Sequence, residues 1–345
     1  MREVSDYLAQ APAATGVCGE HDPRWLSILR EGLRQEPVAL IARDGEAGKI
    51  REYLPLAFVR SRLFGRFLVS LPYLNRAGVV TDDAAVAAEL VGKACELAGE
   101  LDAQYLELRH QQPLELDKLN ARRDEKVRMV LALPGDAEAL WKGFDAKARN
   151  QVRKGDKSEL TLRVGGVELL AAFYDVFARN MRDLGTPVYS RGLFAAILKH
   201  LPDKAELVVT DCQGQPVAGA LLIHDPATVG GLPAVTQVPS ASCLREFNHT
   251  NANMWMYHRL LLRAIERSSK QFDFGRSSVD SGTYKFKKQW GAQPQPTVWQ
   301  YHMRRGDIGA VRPDNPKYQR RIELWQRLPV WVTRLIGPAI VRGIP

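Results

Sequence analysis

Apolar and polar positions along this 345-residue chain alternate between two periods, one helical and one extended. A helical period comes first: HDPRWLSILREGL reads as a helix with Asp22 as N-cap and Pro23 at the first position, where a missing N–H costs nothing. Strand-like runs follow at 38–43, 52–60 and 67–71, with Asp44-Gly45 as the turn between the first two. Asp82-Asp83 then caps an alanine-rich helix over 84–97, and 104–109 and 126–133 read as further strands.

The second half repeats that order. Residues 137–153 read as a helix, 160–164 as a strand, and 166–184 as a long helix with apolar residues at 169, 170, 173, 176, 177 and 181. Another helix follows Ser190, and strands 206–210 and 217–224 flank the tight turn Gln213-Gly214. Then come a strand near 231–238, a helix over 250–268, a short strand 272–274, a helical turn after Asp280 and a last strand 297–302. Two similar mixed modules in series make the fold class α+β. The expected boundaries are 1–140, 141–303 and a tail, 304–345.

Composition sharpens this picture at three points. With 45% hydrophobic and 25% charged residues the chain is globular. Its net charge of +9 is concentrated, because from Arg304 onward nine basic residues, Arg312 and Lys317 among them, face three acidic ones. A uniformly basic nucleic-acid binder is therefore excluded. The four cysteines lie far apart, offer no metal-ligand spacing, and point to a reducing compartment. No basic and apolar leader opens the chain and no run nears the roughly 18 apolar residues of a membrane span, so a cytoplasmic protein is expected. The tail mixes Trp325, Leu328, Trp331, Leu335 and Ile336 with arginines in a Pro-broken amphipathic pair of helices. Either it lies in an anionic membrane interface, making the protein peripheral at the inner face of the cell membrane, or it docks on the chain's own first domain.

Several stretches resemble one family. FDFGRSSVDSGTYKFKKQWG (272–291) is similar to the closing signature of the FemAB-type peptidyltransferases, in which an FDFG-like turn precedes an aromatic-Lys pair and a Trp/Phe-Gly. LPYLNRAGVVTDD (71–83), KARNQVRKGDKSEL (147–160) and VPSASCLREFNHTNANMWMYHRLL (238–261) extend the likeness to nearly the whole chain, most of all to FemAB-related proteins associated with exosortase and PEP-CTERM systems and surface-polysaccharide loci. The resemblance implies two tandem GNAT-like domains. It also implies aminoacyl or acyl transfer to an amine of a cell-envelope or exopolysaccharide precursor, phosphorylated or lipid-linked, by a monomer using aminoacyl-tRNA or another acyl donor. No long heptad segment interrupts the second module, so the helical arm of some relatives is absent, which weakens conventional tRNA dependence.

Such a transfer needs a carbonyl held beside a nucleophile, a proton acceptor, and donors where the oxyanion develops. By the family pattern Lys287 stabilises that oxyanion while Phe286 excludes water; alternatively Lys285, Lys287 and Lys288 are solvated charges on a turn. Asp280 either accepts the amine proton or, like Ser281, caps the turn that carries Tyr284. Arg276, with Ser277 and Ser278, follows a strand and suits a phosphate, or is an ordinary surface arginine. Arg149 and Arg153, four apart with Asn150 and Gln151 between, form a basic face with Lys147, Lys154 and Lys157 that either binds phosphate or is simply solvated. Tyr73 and Asn75 would line the cleft of the first domain by resemblance, though turn chemistry explains Asn75 equally well. Asn248, Asn251 and Asn253 open a helix that in acetyltransferases of this fold cradles a cofactor pyrophosphate. The usual glycine-rich loop is missing there, so no cofactor is expected and CoA is disfavoured. His249 and His258 read as structural. Two other classes remain open: an acyl-CoA or acyl-carrier-protein dependent N-acyltransferase, and a catalytically inert assembly factor.

Overall fold

The structure, a computed structural model, describes residues 1–45, 48–308 and 319–345. Its strands are β1 (Glu36–Arg43), β2 (Ile50–Ser61), β3 (Gly65–Val69), β4 (Tyr105–His110), β5 (Ala121–Arg123), β6 (Lys126–Ala132) and β7 (Leu160–Gly165). They continue with β8 (Ala205–Cys212), β9 (Gln215–Asp225), β10 (Val235–Cys243), β11 (Gln271–Ser278), β12 (Gln293–Pro296) and β13 (Val298–Met303). One six-stranded sheet has the order β1-β2-β3-β4-β13-β5, and a seven-stranded sheet has the order β12-β6-β11-β10-β9-β8-β7.

The repeat expected from sequence is visible in the topology. Each sheet holds an antiparallel hairpin, β1/β2 or β8/β9, beside a parallel pair, β3/β4 or β10/β11. A parallel pair needs a crossover, and Ala84–Glu100 and Ala252–Glu266 supply it as helices. Each sheet is then completed by a strand from the other half of the chain. β6, which precedes residue 141, pairs with β11, and β13 pairs with β4. A cut at 140/141 therefore separates β6 from the sheet it belongs to.

The halves also share one core. Trp25, Ile28 and Leu29 of helix Arg24–Leu33 pack with Phe173, Phe177, Phe194, Leu207 and Leu221 of the second half. Gly32 makes this approach possible, since a Cβ there would lie 2.6 Å from the backbone Cα of Leu193. On the opposite face of the second sheet, Leu260, Leu261 and Ala264 meet Phe272, Phe274 and Trp290. Leu90, Val91 and Ala94 cover Leu54, Leu56, Leu106 and Leu108 in the first sheet.

Local chemistry moved several expected boundaries. The helix over 137–153 is two helices, Ala137–Gly143 and Ala146–Asp156, because the Asp145 side chain accepts from Ala148 N at 2.6 Å and starts a new one. Asp22 accepts from Arg24 N at 3.1 Å, but Pro23 is the residue flanking the helix. The strand near 231–238 runs instead from Val235 to Cys243, and the helix over 250–268 is a 3-10 turn, Arg245–Thr250, followed by Ala252–Glu266. Helix Arg2–Gln10 and the short strands β5 and β12 were not expected.

The tail forms the expected helix pair, Gln319–Arg327 and Val330–Val341. Its inner face docks, but on the second half rather than the first domain: Arg334 pairs with Asp175 at 2.7 Å, a Cβ on Gly337 would lie 3.0 Å from Val188, and Arg182 donates to Leu328 O. Its end reaches the first half, where Gln35 donates to Arg342 O. Arg312 and Lys317 lie outside the described residues.

Gly32→Ala forces a methyl against backbone in the shared core and is expected to lower unfolding free energy by about 1–3 kcal/mol. Urea denaturation measures it, and an unchanged midpoint would show that the two helices are free to separate.

Candidate active site

β10 and β11 pair in parallel over only three positions, from Val235↔Gln271 to Gln237↔Asp273. Beyond them each strand stays with its other neighbour, and both carry a register shift at this level, between Gln237 and Ser240 and between Asp273 and Arg276. Local sequence explains the break. Pro239 has no N–H to give the ladder, and Gly275 takes a φ of +76° that disfavours a side chain. The strands thus part, leaving backbone groups of β11 to be satisfied by something other than β10.

Lys287 does this. It projects from helix Gly282–Gln289, whose N-terminus is capped by Ser281 Oγ accepting from Tyr284 N at 3.2 Å. Its buried ammonium donates to Gly275 O at 3.1 Å and Arg276 O at 3.0 Å. Burial pushes its pKa down to about 8, opposed by Asp273. Of three ammonium donors, two are used and one has no acceptor among the described residues. Phe286 packs edge-on to Tyr257 at 4.9 Å, and Tyr284 joins the same apolar cluster, so this aromatic wall holds the lysine helix in place.

Arg276 crosses to the first sheet. Its guanidinium carbon lies 3.4 Å from the Trp299 ring centroid, and that of Arg109 lies 3.9 Å from the same centroid. Two guanidiniums this close cannot share one face of the ring, so the indole is sandwiched between them. Arg109 is anchored by Glu107 at 2.6 Å, and the Trp299 indole N–H donates to Asn75 O at 3.2 Å. Arg276 has no such anion: among the described residues its side chain makes no hydrogen bond, and its Nε is buried without a partner. Burial, then Arg109, lowers its pKa to about 9. Ser277 Oγ is likewise buried and unpartnered. A cation stripped of water and left unpaired is costly unless an anionic ligand completes it.

Tyr73 reaches the same cleft. Its backbone is left-handed, with φ +74°, its ring meets Tyr189 edge-on at 5.1 Å, and its hydroxyl lies 3.2 Å from Ser240 Oγ on β10. Asn75 contributes backbone instead, its N–H donating to Glu20 at 2.5 Å.

Other expected residues sit apart. Arg149 donates to Phe144 O at 2.5 Å, closing the break between two helices, and Arg153 lies over Trp141, so neither guanidinium is wholly free for phosphate. Asn150 is exposed on that helix, which is linked to the lysine helix by the hydrogen bond from Gln289 to Gln151. Asn251 takes φ +56° between the 3-10 turn and helix Ala252–Glu266, flanked by exposed Asn248 and half-buried Asn253. Parallel pairing puts this helix start, after β10, at the same sheet end as Ser278. Ser281 takes the capping role; Asp280 is exposed at φ +63° with no hydrogen bond to Lys287. His258 is buried among Trp141 and Phe144, where burial lowers its pKa to about 4. All four cysteines are free, and among the described residues no cluster could hold a metal.

Arg109, Trp299 and Asp273 were missed by sequence reasoning. A signal existed for one: Tyr105, Glu107 and Arg109 occupy one face of a strand that is buried throughout, which an ordinary core would fill with apolar residues. Nothing local showed that β13 would bring Trp299 beside it.

Comparison with known proteins accords with this geometry. Residues 142–288 match the family model of the acetyltransferase (GNAT) domain. The crystal structure of FemX superposes with a TM-score of 0.64 at 15% identity, covering 92% of this chain and 97% of that one. A domain described as the C-terminal part of a lysylphosphatidylglycerol synthetase from Agrobacterium fabrum gives 0.54 at 12% identity, over 86% of this chain and 92% of that one. L-PGS from Bacillus licheniformis gives 0.51 at 12%, over 92% and 98%. No curated protein sequence matches. The chain therefore has the GNAT-like α+β fold in a two-sheet arrangement shared with FemX, with residues 142–288 as the stretch that matches the acetyltransferase (GNAT) domain.

Proposed function

We propose that this protein forms an amide bond by aminoacyl or acyl transfer to an amine of a cell-envelope precursor. The observation that carries the reading is the buried Lys287 ammonium, fixed by two carbonyls of β11 just beyond its pairing with β10, with one donor unused. FemX, L-PGS and the domain described as part of a lysylphosphatidylglycerol synthetase share the fold, and the last of these names, that of an enzyme of a membrane lipid, supports the substrate class.

In this reading the acceptor amine attacks the donor's carbonyl carbon, and the new oxyanion takes the free Lys287 donor. The acyl bond to the carrier then breaks, and Asp280, at the surface, passes the amine proton to water. Arg276, half-buried on Trp299 with its Nε unpartnered, and the buried Ser277 hydroxyl hold a phosphate or other anionic group of the substrate, and Tyr73 lines the acceptor side. The Arg149 to Arg153 face and Asn248, Asn251 and Asn253 guide the donor. Aminoacyl-tRNA or another activated acyl group serves as donor without bound CoA, because the turn before Ala252 lacks a glycine-rich loop and Thr250 already accepts the Ala252 N–H. The acetyltransferase match favours a second reading with acyl-CoA; saturable binding of acyl-CoA by calorimetry would establish it.

The outer tail face, with Leu324, Trp331 and Leu335 each more than 60% exposed, would hold the enzyme at an anionic membrane. Among the described residues no helix is long and apolar enough to cross one.

Lys287→Met is expected to lower kcat about 100-fold or more, with Lys287→Arg recovering part of it. Wild-type transfer should decline as pH rises through about 8, where Lys287 loses its proton. Stability carries the opposite sign. The folded pKa lies below the unfolded one, so between about 8 and 10.5 the unfolded chain binds more protons and stability rises with pH, a slope that Lys287→Met removes. Trp331→Ser with Leu335→Ser should abolish sedimentation with vesicles containing anionic phosphatidylglycerol while leaving transfer to a soluble acceptor intact; undiminished sedimentation contradicts the tail's role.

A further inference from the structure

A cavity with an apolar side and a charged side lies between the N-terminal segment and the starts of β10 and β11. It encloses about 540 Å³, within the roughly 300–1,000 Å³ of small-molecule sites. Its β11 wall is Gln271, two residues before Asp273.

Arg76 is the unusual group on its surface. The residue is 8% exposed and carries five N–H donors. Glu20 at 3.5 Å and Asp273 at 4.0 Å lie within ion-pair range, yet among the described residues the Arg76 side chain makes no hydrogen bond. Arg128, beside it on the wall, donates to Asp273 at 3.2 Å and to Gln295, and its Nε too is buried without a partner. Elsewhere on the wall Lys204 is paired with Asp22 at 2.9 Å and Asp225 at 3.4 Å. Leu8, Val17 and Leu232 supply an apolar side.

Unmade donors on a buried guanidinium call for an oxygen anion, and the charge balance selects which. Arg76 and Arg128 already face Glu20 and Asp273, while Lys204 faces Asp22 and Asp225. A phosphate would bring two charges among four carboxylates. A carboxylate brings one, and its planar pair of oxygens matches the guanidinium fork.

We propose that this cavity binds a small organic carboxylate, its head on Arg76 and Arg128 and its apolar body against Leu8, Val17 and Leu232. The site stands independently of the transfer chemistry. Thermal-shift and calorimetric titrations of the full chain with hexanoate, hexanamide and hexyl phosphate test it. Hexanoate should bind saturably and raise Tm, hexanamide should not, and hexyl phosphate should bind more weakly than hexanoate. Arg76→Met should abolish hexanoate binding and Arg76→Lys should weaken it about tenfold or more, because a lysine lacks the fork. Should Arg76→Met fail to fold, Ala227→Trp, at an exposed position on the cavity rim, serves instead and should block hexanoate. No saturable shift with hexanoate, tighter binding of hexyl phosphate or hexanamide, or hexanoate binding unchanged in these variants overturns the proposal.

Discussion

Everything at the candidate active site depends on two parallel strands that stop pairing after three residues. Once β10 and β11 part, the carbonyls of Gly275 and Arg276 point where no strand can answer them. A buried backbone acceptor left empty costs on the order of 1–3 kcal/mol, so the gap has to be bridged. The Lys287 ammonium bridges it from a helix held by an aromatic wall. The same contact that satisfies the backbone delivers a cation into an otherwise dry cleft, which is why structure and chemistry here cannot be separated by one substitution.

The second organising feature is the exchange of strands between sheets. Because β13 returns to the first sheet, Trp299 stands against Arg109 of β4 and reaches Arg276 of β11. Because β6 joins the second, Arg128 meets Asp273. Both polar sites thus draw on residues from distant parts of the chain, and both rest on β11. Asp273 belongs to each: it accepts from Arg128, offsets the lysine's burial and fixes the Gly275 N–H at 2.8 Å.

Much of this was legible in the sequence. Helical and extended periods located most elements, and the repeated order foretold two related sheets. The FDFG turn with its aromatic-Lys pair pointed to Lys287 and Arg276 by resemblance, and the fold leaves the first buried and the second half-buried. What was hidden is non-local. An Asp-capped restart at Asp145 looks like helix continuation, because Ala, Lys and Arg on either side favour helix. Nor can spacing say that a final strand crosses to the other sheet, since pairing partners are set by packing of the whole chain. The Arg149 to Arg153 face shows the converse: its spacing fits phosphate, but the nearest acceptor to Arg149 is a backbone carbonyl. The tail docks as one reading had it, but on the second half rather than the first domain, because its partners Asp175 and Arg182 lie far from it in sequence.

The central claim is that Lys287 carries its charge in a dry gap at a cost that brings its titration close to neutrality. Carbon-detected NMR of the lysine side chains across pH, assigned by comparison with Lys287→Arg, measures it directly. A Cε resonance titrating at about 8 and absent from the variant is the predicted result. An assigned Lys287 titrating with the surface lysines near their ordinary value of about 10.4 would contradict the account.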